Sequence, residues 1–168
     1  LPESDFDGYK FTMLHWQVAG WDWVTCDMDI EEDTGEVIET ALYKRNISVE
    51  EKLNIELTGE YQAHDKIVNT FKSSVLASDD TYDVYFIRGC EILNALNTKC
   101  MYDMFKLPYV DWTKPWWDQN SIKEFSMNNK LFFVVSDIQL TDKMSTAGMM
   151  FNKQVQADFN IGSFYQLV

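Results

Sequence analysis

Three apolar strand patterns, separated by two stretches of helical periodicity, constrain this 168-residue chain more than any other feature. The first strand pattern is YKFTMLH at 9–15, rich in aromatic and apolar residues. A helix is expected from about Glu36 to Leu53, capped by Asp33 or Thr34, with Ile38, Leu42, Val49 and Leu53 on one face. NIELT follows as a short strand, Ile55 and Leu57 alternating. A second helix is expected over His64–Ala77, with Ile67, Val68, Phe71 and Val75 as its stripe. YDVYFI at 82–87 is nearly continuous in apolar residues, as in a strand buried on both faces. GCEILNALNTK then restarts a helix.

Strand, helix, strand, helix, strand, helix is the order of a parallel sheet with right-handed crossovers, an α/β layered fold. Ligands of such sheets sit beyond the carboxyl ends of the strands. The loops that matter therefore begin at Trp16 and at Arg88. The first is long, WQVAGWDWVTCDMDIEEDTG, and a connection of that length marks a functional or mobile segment. Beyond residue 105 the chain is loop-like and aromatic. Strands are expected at 130–135 and 146–151, a short helix at NKQVQADF, and a cap at Ser163 just before the end. The length suits one domain, and the ending at GSFYQLV is read as a lobe cut short.

Charge narrows the partners. Asp and Glu number 27 against 14 Lys and Arg, a net charge of −13. A field of that sign repels nucleic-acid backbones and anionic membrane surfaces, and says little about a neutral ligand. Cys26, Cys90 and Cys100 form no CxxC pair, so a zinc site is not expected, and they are read as small, partly buried hydrophobes. No apolar run reaches the roughly 20 residues of a membrane span.

Catalytic motifs are scarce. GxSxG, HExxH, a P-loop and GxGxxG are all missing. His15 and His64 are the only histidines. His64 is read as a surface residue, and His15 as a core or rim residue able to reach a ligand from the end of the first strand. Asp27, Asp29, Glu31, Glu32 and Asp33 could suggest paired carboxylates for glycoside hydrolysis, or a calcium loop. Their crowding in one polar loop reads more simply as a solvated segment with a helix cap, and the calcium-loop glycine is missing. No metal or cofactor is expected. The better signal is the aromatic and polar residues at strand ends: Trp16, Gln17, Trp21 and Trp23 after the first strand, Arg88 after the third, Asp137 after 130–135. Indole faces stack on sugars or enclose peptide side chains, while Gln, Arg and Asp supply directional hydrogen bonds. The same tryptophans would also serve to anchor the long loop.

KPWWDQN at 114–120 could be a sugar platform. Thr113 as cap, Pro115 in a first turn and Asp118 at the dipole read it instead as a helix start held on by Trp116 and Trp117.

The segments LPESDFDGYKF, TGEVIETALYKRNISVEEKLNIEL, FKSSVLASDDTYDVYF, LPYVDWTKPWWDQNSI and NKLFFVVSDIQL together resemble extracellular solute-binding proteins of bacterial ABC importers. The resemblance is to the carbohydrate-type family 1 proteins of Firmicutes, over essentially the whole chain. It implies the amino-terminal lobe, residues 1–168, of a two-lobe type II periplasmic-binding-protein-like fold, layered α/β/α with a mostly parallel sheet. It further implies a non-enzymatic protein that delivers a solute to an ABC permease, displayed outside the cell as a lipoprotein whose signal and lipid-bearing cysteine lie upstream. Carried over by position, the ligand contacts are Trp16, Gln17, Arg88, Gly89 and Asp137, with Trp21 and Trp23 in the loop that varies most. Sugar, oligosaccharide and peptide remain open as cargo, and a carbohydrate-active enzyme module is the alternative from another class.

Overall fold

β1 (Tyr9–Gln17) is the central strand of the computed structural model, which describes residues 4–21, 27–28, 30, 32–140, 150–160 and 162. Thr12, Met13, Leu14 and His15 are all buried, as in a strand covered on both faces. β2 (Ile55–Ala63) runs parallel along its whole length, from Tyr9 opposite Ile55 to Gln17 opposite Ala63. β3 (Val84–Phe86) runs parallel on the other side, with Met13, Leu14 and His15 opposite Val84, Tyr85 and Phe86. The described sheet thus has the order β2-β1-β3. α1 (Val37–Leu53) joins β1 to β2, and α2 (Ile67–Ala77) joins β2 to β3. The fold is mixed α/β, a small parallel sheet flanked by helices, in the expected element order.

Leu14 points to one face, where it meets Ile67 and Val68 of α2 and Ala95 of α3 (Ile92–Asn97). His15 points the other way, toward Tyr61 and Phe86, with ring centres 5.9 and 5.4 Å away. Asp27 acts electrostatically on His15 from that side, and α1 holds Asp27 through Asn46, whose amide donates to the Asp27 carbonyl at 3.0 Å. Asn46 is the one buried residue of α1. The expected apolar stripe is therefore wrong at its start, because Ile38 is 63% exposed.

Other expectations need correcting at element ends. α2 starts at Ile67, not His64, because the His64 N–H continues the sheet ladder by donating to the Gln17 carbonyl at 3.1 Å. Its buried face takes Ser74 rather than Val75. β3 starts at Val84, not Tyr82. Just before it, Asp83 donates its backbone N–H to the Thr12 carbonyl and accepts the Thr12 N–H on its carboxylate, each at 2.8 Å. β3 is also half-exposed, an edge strand among the described residues rather than one buried on both faces. Neither Asp33 nor Thr34 caps the backbone of α1. Asp33 instead accepts from the Gly35 N–H at 3.0 Å and from the Thr40 hydroxyl.

No strand forms at 130–135. Asn128 and Asn129, with φ of 50° and 60°, make a tight turn closed by Met127 and Lys130. Leu131, fully buried, bonds to the 103–104 segment, and the Val135 carbonyl accepts from Asp118. These backbone groups are satisfied one at a time by loops instead of by a neighbouring strand. Met150 and Phe151 are not in a strand either, and 146–149 lie outside the described residues. The short helix near the end is present as α5 (Lys153–Asp158), capped by the Asn152 side chain. Ser163 and Cys26 lie outside the described residues; Cys100 is partly buried as expected, and Cys90 is exposed instead.

The helix that KPWWDQN leads into, α4 (Gln119–Phe125), starts at the last two residues of the motif, just past Asp118, whose carboxylate accepts the Ser121 N–H at 2.5 Å. Thr113 is no cap. It closes a turn on Asp111, with its N–H 3.0 Å from that carboxylate. Trp117 is half-buried, its ring 4.8 Å from Trp112, but Trp116 is 51% exposed, so only one of the pair packs down.

Candidate functional site

The order β2-β1-β3 reverses the direction of strand addition at β1, and sheets with such a reversal take their ligands in the crevice outside the carboxyl ends of the two strands, here β1 and β3. β1 delivers Trp16 and Gln17 there. The chain then turns through Gly20, whose φ of +80° suits glycine, and the Trp21 N–H closes the turn on the Val18 carbonyl at 3.0 Å. Trp21 is thereby folded back toward the strand end. β3 delivers Arg88, which precedes a 3-10 turn (Gly89–Glu91). The Arg88 guanidinium lies 5.6 Å from the centre of the Trp16 ring and 5.0 Å from that of Trp21. Both distances are within reach of cation–π attraction.

Trp16 is held from below, since it packs against the Leu14, Ile67, Val68 and Ala95 cluster. Gln17 is exposed beside it, and a side chain at Gly89 would meet nothing within 4 Å, so the space there is open. The structure therefore brings together Trp16, Trp21 and Arg88, with Gln17 and Gly89 at the margin. Trp23 lies outside the described residues. Asp137 is placed by other means, its N–H bonded to the Trp116 carbonyl at 2.9 Å.

Two polar groups at these strand ends were missed as site candidates, His64, which the sequence reads as a surface residue, and Gln62. His64 Nδ1 stands 3.9 Å from Glu91, too far for a hydrogen bond, and is buried without a partner. Gln62 Oε1, in the row of Trp16, is likewise buried and unpartnered. Such groups favour a bridging water or a ligand atom. The signal for both was their place at the end of β2, hidden by the expectation of a shorter strand.

His15 proves to be core, with no exposed surface. Its Nδ1 lies 2.6 Å from the Trp16 carbonyl, so that nitrogen carries the hydrogen and donates it. Nε2 has no hydrogen-bond partner. Burial lowers the pKa of His15, against smaller opposing effects from the Trp16 carbonyl, the Gln139 side chain and Asp27. Asp27 is not solvated, as the acidic-loop reading had it, but 2% exposed. Its carbonyl accepts from Asn46 at 3.0 Å and from Arg45 at 2.7 Å, and its carboxylate accepts the Leu140 N–H.

A concavity of about 530 Å³ opens at the other end of β1, between Tyr9, Lys10, Asp79 and Asp83. Two of its acids, Asp79 and Asp83, serve the fold. Asp83 binds Thr12 and the Tyr9 hydroxyl, and Asp79 binds the Ser74 hydroxyl. Among the described residues no hydroxyl or thiol is hydrogen-bonded to a histidine, and no three His, Cys, Asp or Glu side chains form a metal-binding group. The strand-end crevice offers two indole faces and a guanidinium, suited to holding a planar or ring-shaped solute. Comparison with protein-family models, with curated proteins and with solved structures finds no significant match.

Proposed function

We propose that the chain is an α/β lobe of a bacterial solute-binding protein, type II in architecture, that captures a sugar or oligosaccharide for an ABC permease. The observation that carries this reading is the convergence of Trp16, Trp21 and Arg88 at the carboxyl ends of adjacent parallel strands. An indole face covers the apolar side of a sugar ring, and a guanidinium hydrogen-bonds its oxygens. The resemblance of the quoted segments to importer-binding proteins points the same way. In such proteins a second lobe closes over the ligand, and the ligand shifts that equilibrium through contacts it makes better in the closed state. This lobe alone supplies part of the contacts, so its own affinity is expected to be weak. On this reading the protein is not an enzyme, works outside the cell on a lipid anchor, and binds no nucleic acid.

Nuclear magnetic resonance of the isotopically labelled chain tests it. Sugars and short peptides at high concentration should move the indole signals of Trp16 and Trp21 and leave those of Trp112 and Trp117 in place. Perturbation confined to Trp112, Trp116 and Trp117 would overturn the site, and release of reducing sugar from a glycan would overturn the non-enzymatic reading. Peptides that move the same signals where sugars do not would favour the peptide alternative.

A further inference from the structure

Arg88 is unusual in what it lacks. The chain carries 27 acidic residues against 14 basic ones, so a half-buried arginine at a loop has many carboxylates to meet. Among the described residues its guanidinium has neither a hydrogen bond nor an ion pair. Arg45 shows the ordinary outcome, with bonds to the Asp27 carbonyl at 2.7 Å, the Ile138 carbonyl at 3.2 Å and the Asn46 amide oxygen at 2.9 Å. Three residues from Arg88, Glu91 is the nearest acid in sequence. It accepts the Asn94 amide at 2.7 Å and lies near His64 at 3.9 Å, and so is engaged elsewhere.

What holds Arg88 is the pair of rings, Trp16 and Trp21. Aromatic contacts orient a guanidinium without consuming its five N–H donors. A planar cation is thus fixed at the strand ends with its hydrogen-bonding capacity unused among the described residues. We infer that Arg88 anchors a carboxylate of the solute, so that the preferred cargo is acidic rather than neutral: a uronic acid sugar, or a peptide held by its terminal carboxylate. This rests on the proposal that solute docks at these strand ends. A carboxylate matches the fork of one guanidinium through two parallel bonds. A doubly charged phosphate would meet a net field of −13 with a single cation to offset it, which disfavours it.

The test uses the labelled 168-residue chain and four probes: galacturonate, galactose, and acetyl-dialanine with a free or an amidated carboxyl end. The Arg88 Nε–H and the Trp16 and Trp21 indole N–H signals are followed. The expected result is a preference of about tenfold or more for an acid over its neutral counterpart, the margin of a charge-assisted over a neutral hydrogen bond. Arg88→Gln should abolish that preference with the melting temperature little changed, and Arg88→Lys should retain part of it. A preference in the sugar pair alone, or in the peptide pair alone, supports the inference and identifies the source of the carboxylate. Equal response to acid and neutral forms overturns it while leaving the strand-end site intact. If no probe moves Arg88, Trp16 or Trp21, the site fails and the inference with it.

Discussion

The guanidinium of Arg88 lies 5.0 Å from the centre of the Trp21 ring, which joins the first turn after β1 to the segment that follows β3. Trp16 meets the same cation but also packs on the core beneath the sheet. The two tryptophans should therefore separate by substitution. Trp21→Ala loses a cation–π contact worth about 0.5–1 kcal/mol at a partly exposed position, without opening the core cluster. Trp16→Ala also opens the cluster around Leu14 and Ala95, and should cost about 3 kcal/mol. Urea denaturation of both variants measures the difference. A Trp21→Ala loss as large as that of Trp16→Ala would mean that Trp21 belongs to the core and not to the site.

The Asp27 carbonyl collects two donors from consecutive residues of α1, Arg45 at 2.7 Å and Asn46 at 3.0 Å. Only Asn46 is fully enclosed. Asn46→Ala leaves a buried carbonyl with one donor fewer and should cost about 1–3 kcal/mol. It should also speed hydrogen exchange at the Leu140 amide, which the Asp27 carboxylate holds. Unchanged exchange at Leu140 would show that Asp27 is held without Asn46.

Much of this fold was legible because its pattern is local. Periodicity alone gives β1, α1, β2, α2 and β3 in order, and the strand-end rule points to Trp16 and Arg88. What failed depended on distant partners. Five apolar residues at 131–135 look the same whether they pair with a strand or bond singly to 103–104 and Asp118. Asp27 is indistinguishable in sequence from its acidic neighbours, and is buried because residues 18 and 19 positions on reach it. The nearness of Trp21 to Arg88 required the turn at Gly20, a conformation that spacing does not reveal.

The adjacent tryptophans should likewise behave differently. Trp117 lies against Trp112, with its ring nitrogen buried, and its backbone forms a bridge to Ser136. Trp117→Ala should cost about 2–4 kcal/mol. Trp116 is 51% exposed, and Trp116→Ala should fall within about 0.5 kcal/mol of the parent. Thermal denaturation of both variants checks this. Equal losses would restore a shared packing role for the pair.

His15 links the centre of the sheet to pH. Burial lowers its pKa below the ordinary 6.5, so the unfolded chain takes up a proton more readily than the folded one. Its contribution to stability is therefore fully present above about pH 6.5 and declines as the pH falls from there through the lower folded-state value. Burial is the largest effect on the ring. The Nδ1–H bond to the Trp16 carbonyl, the Gln139 side chain and the Asp27 charge all favour the protonated form and oppose the shift without reversing it. The urea midpoint should then fall between pH 7.5 and 5.5 in the parent and fall less steeply in His15→Gln, whatever the absolute stability of the variant. Because the comparison is of slopes, a general loss of packing in the variant cannot imitate the result. Parallel slopes in the two proteins would show that the proton is taken up elsewhere.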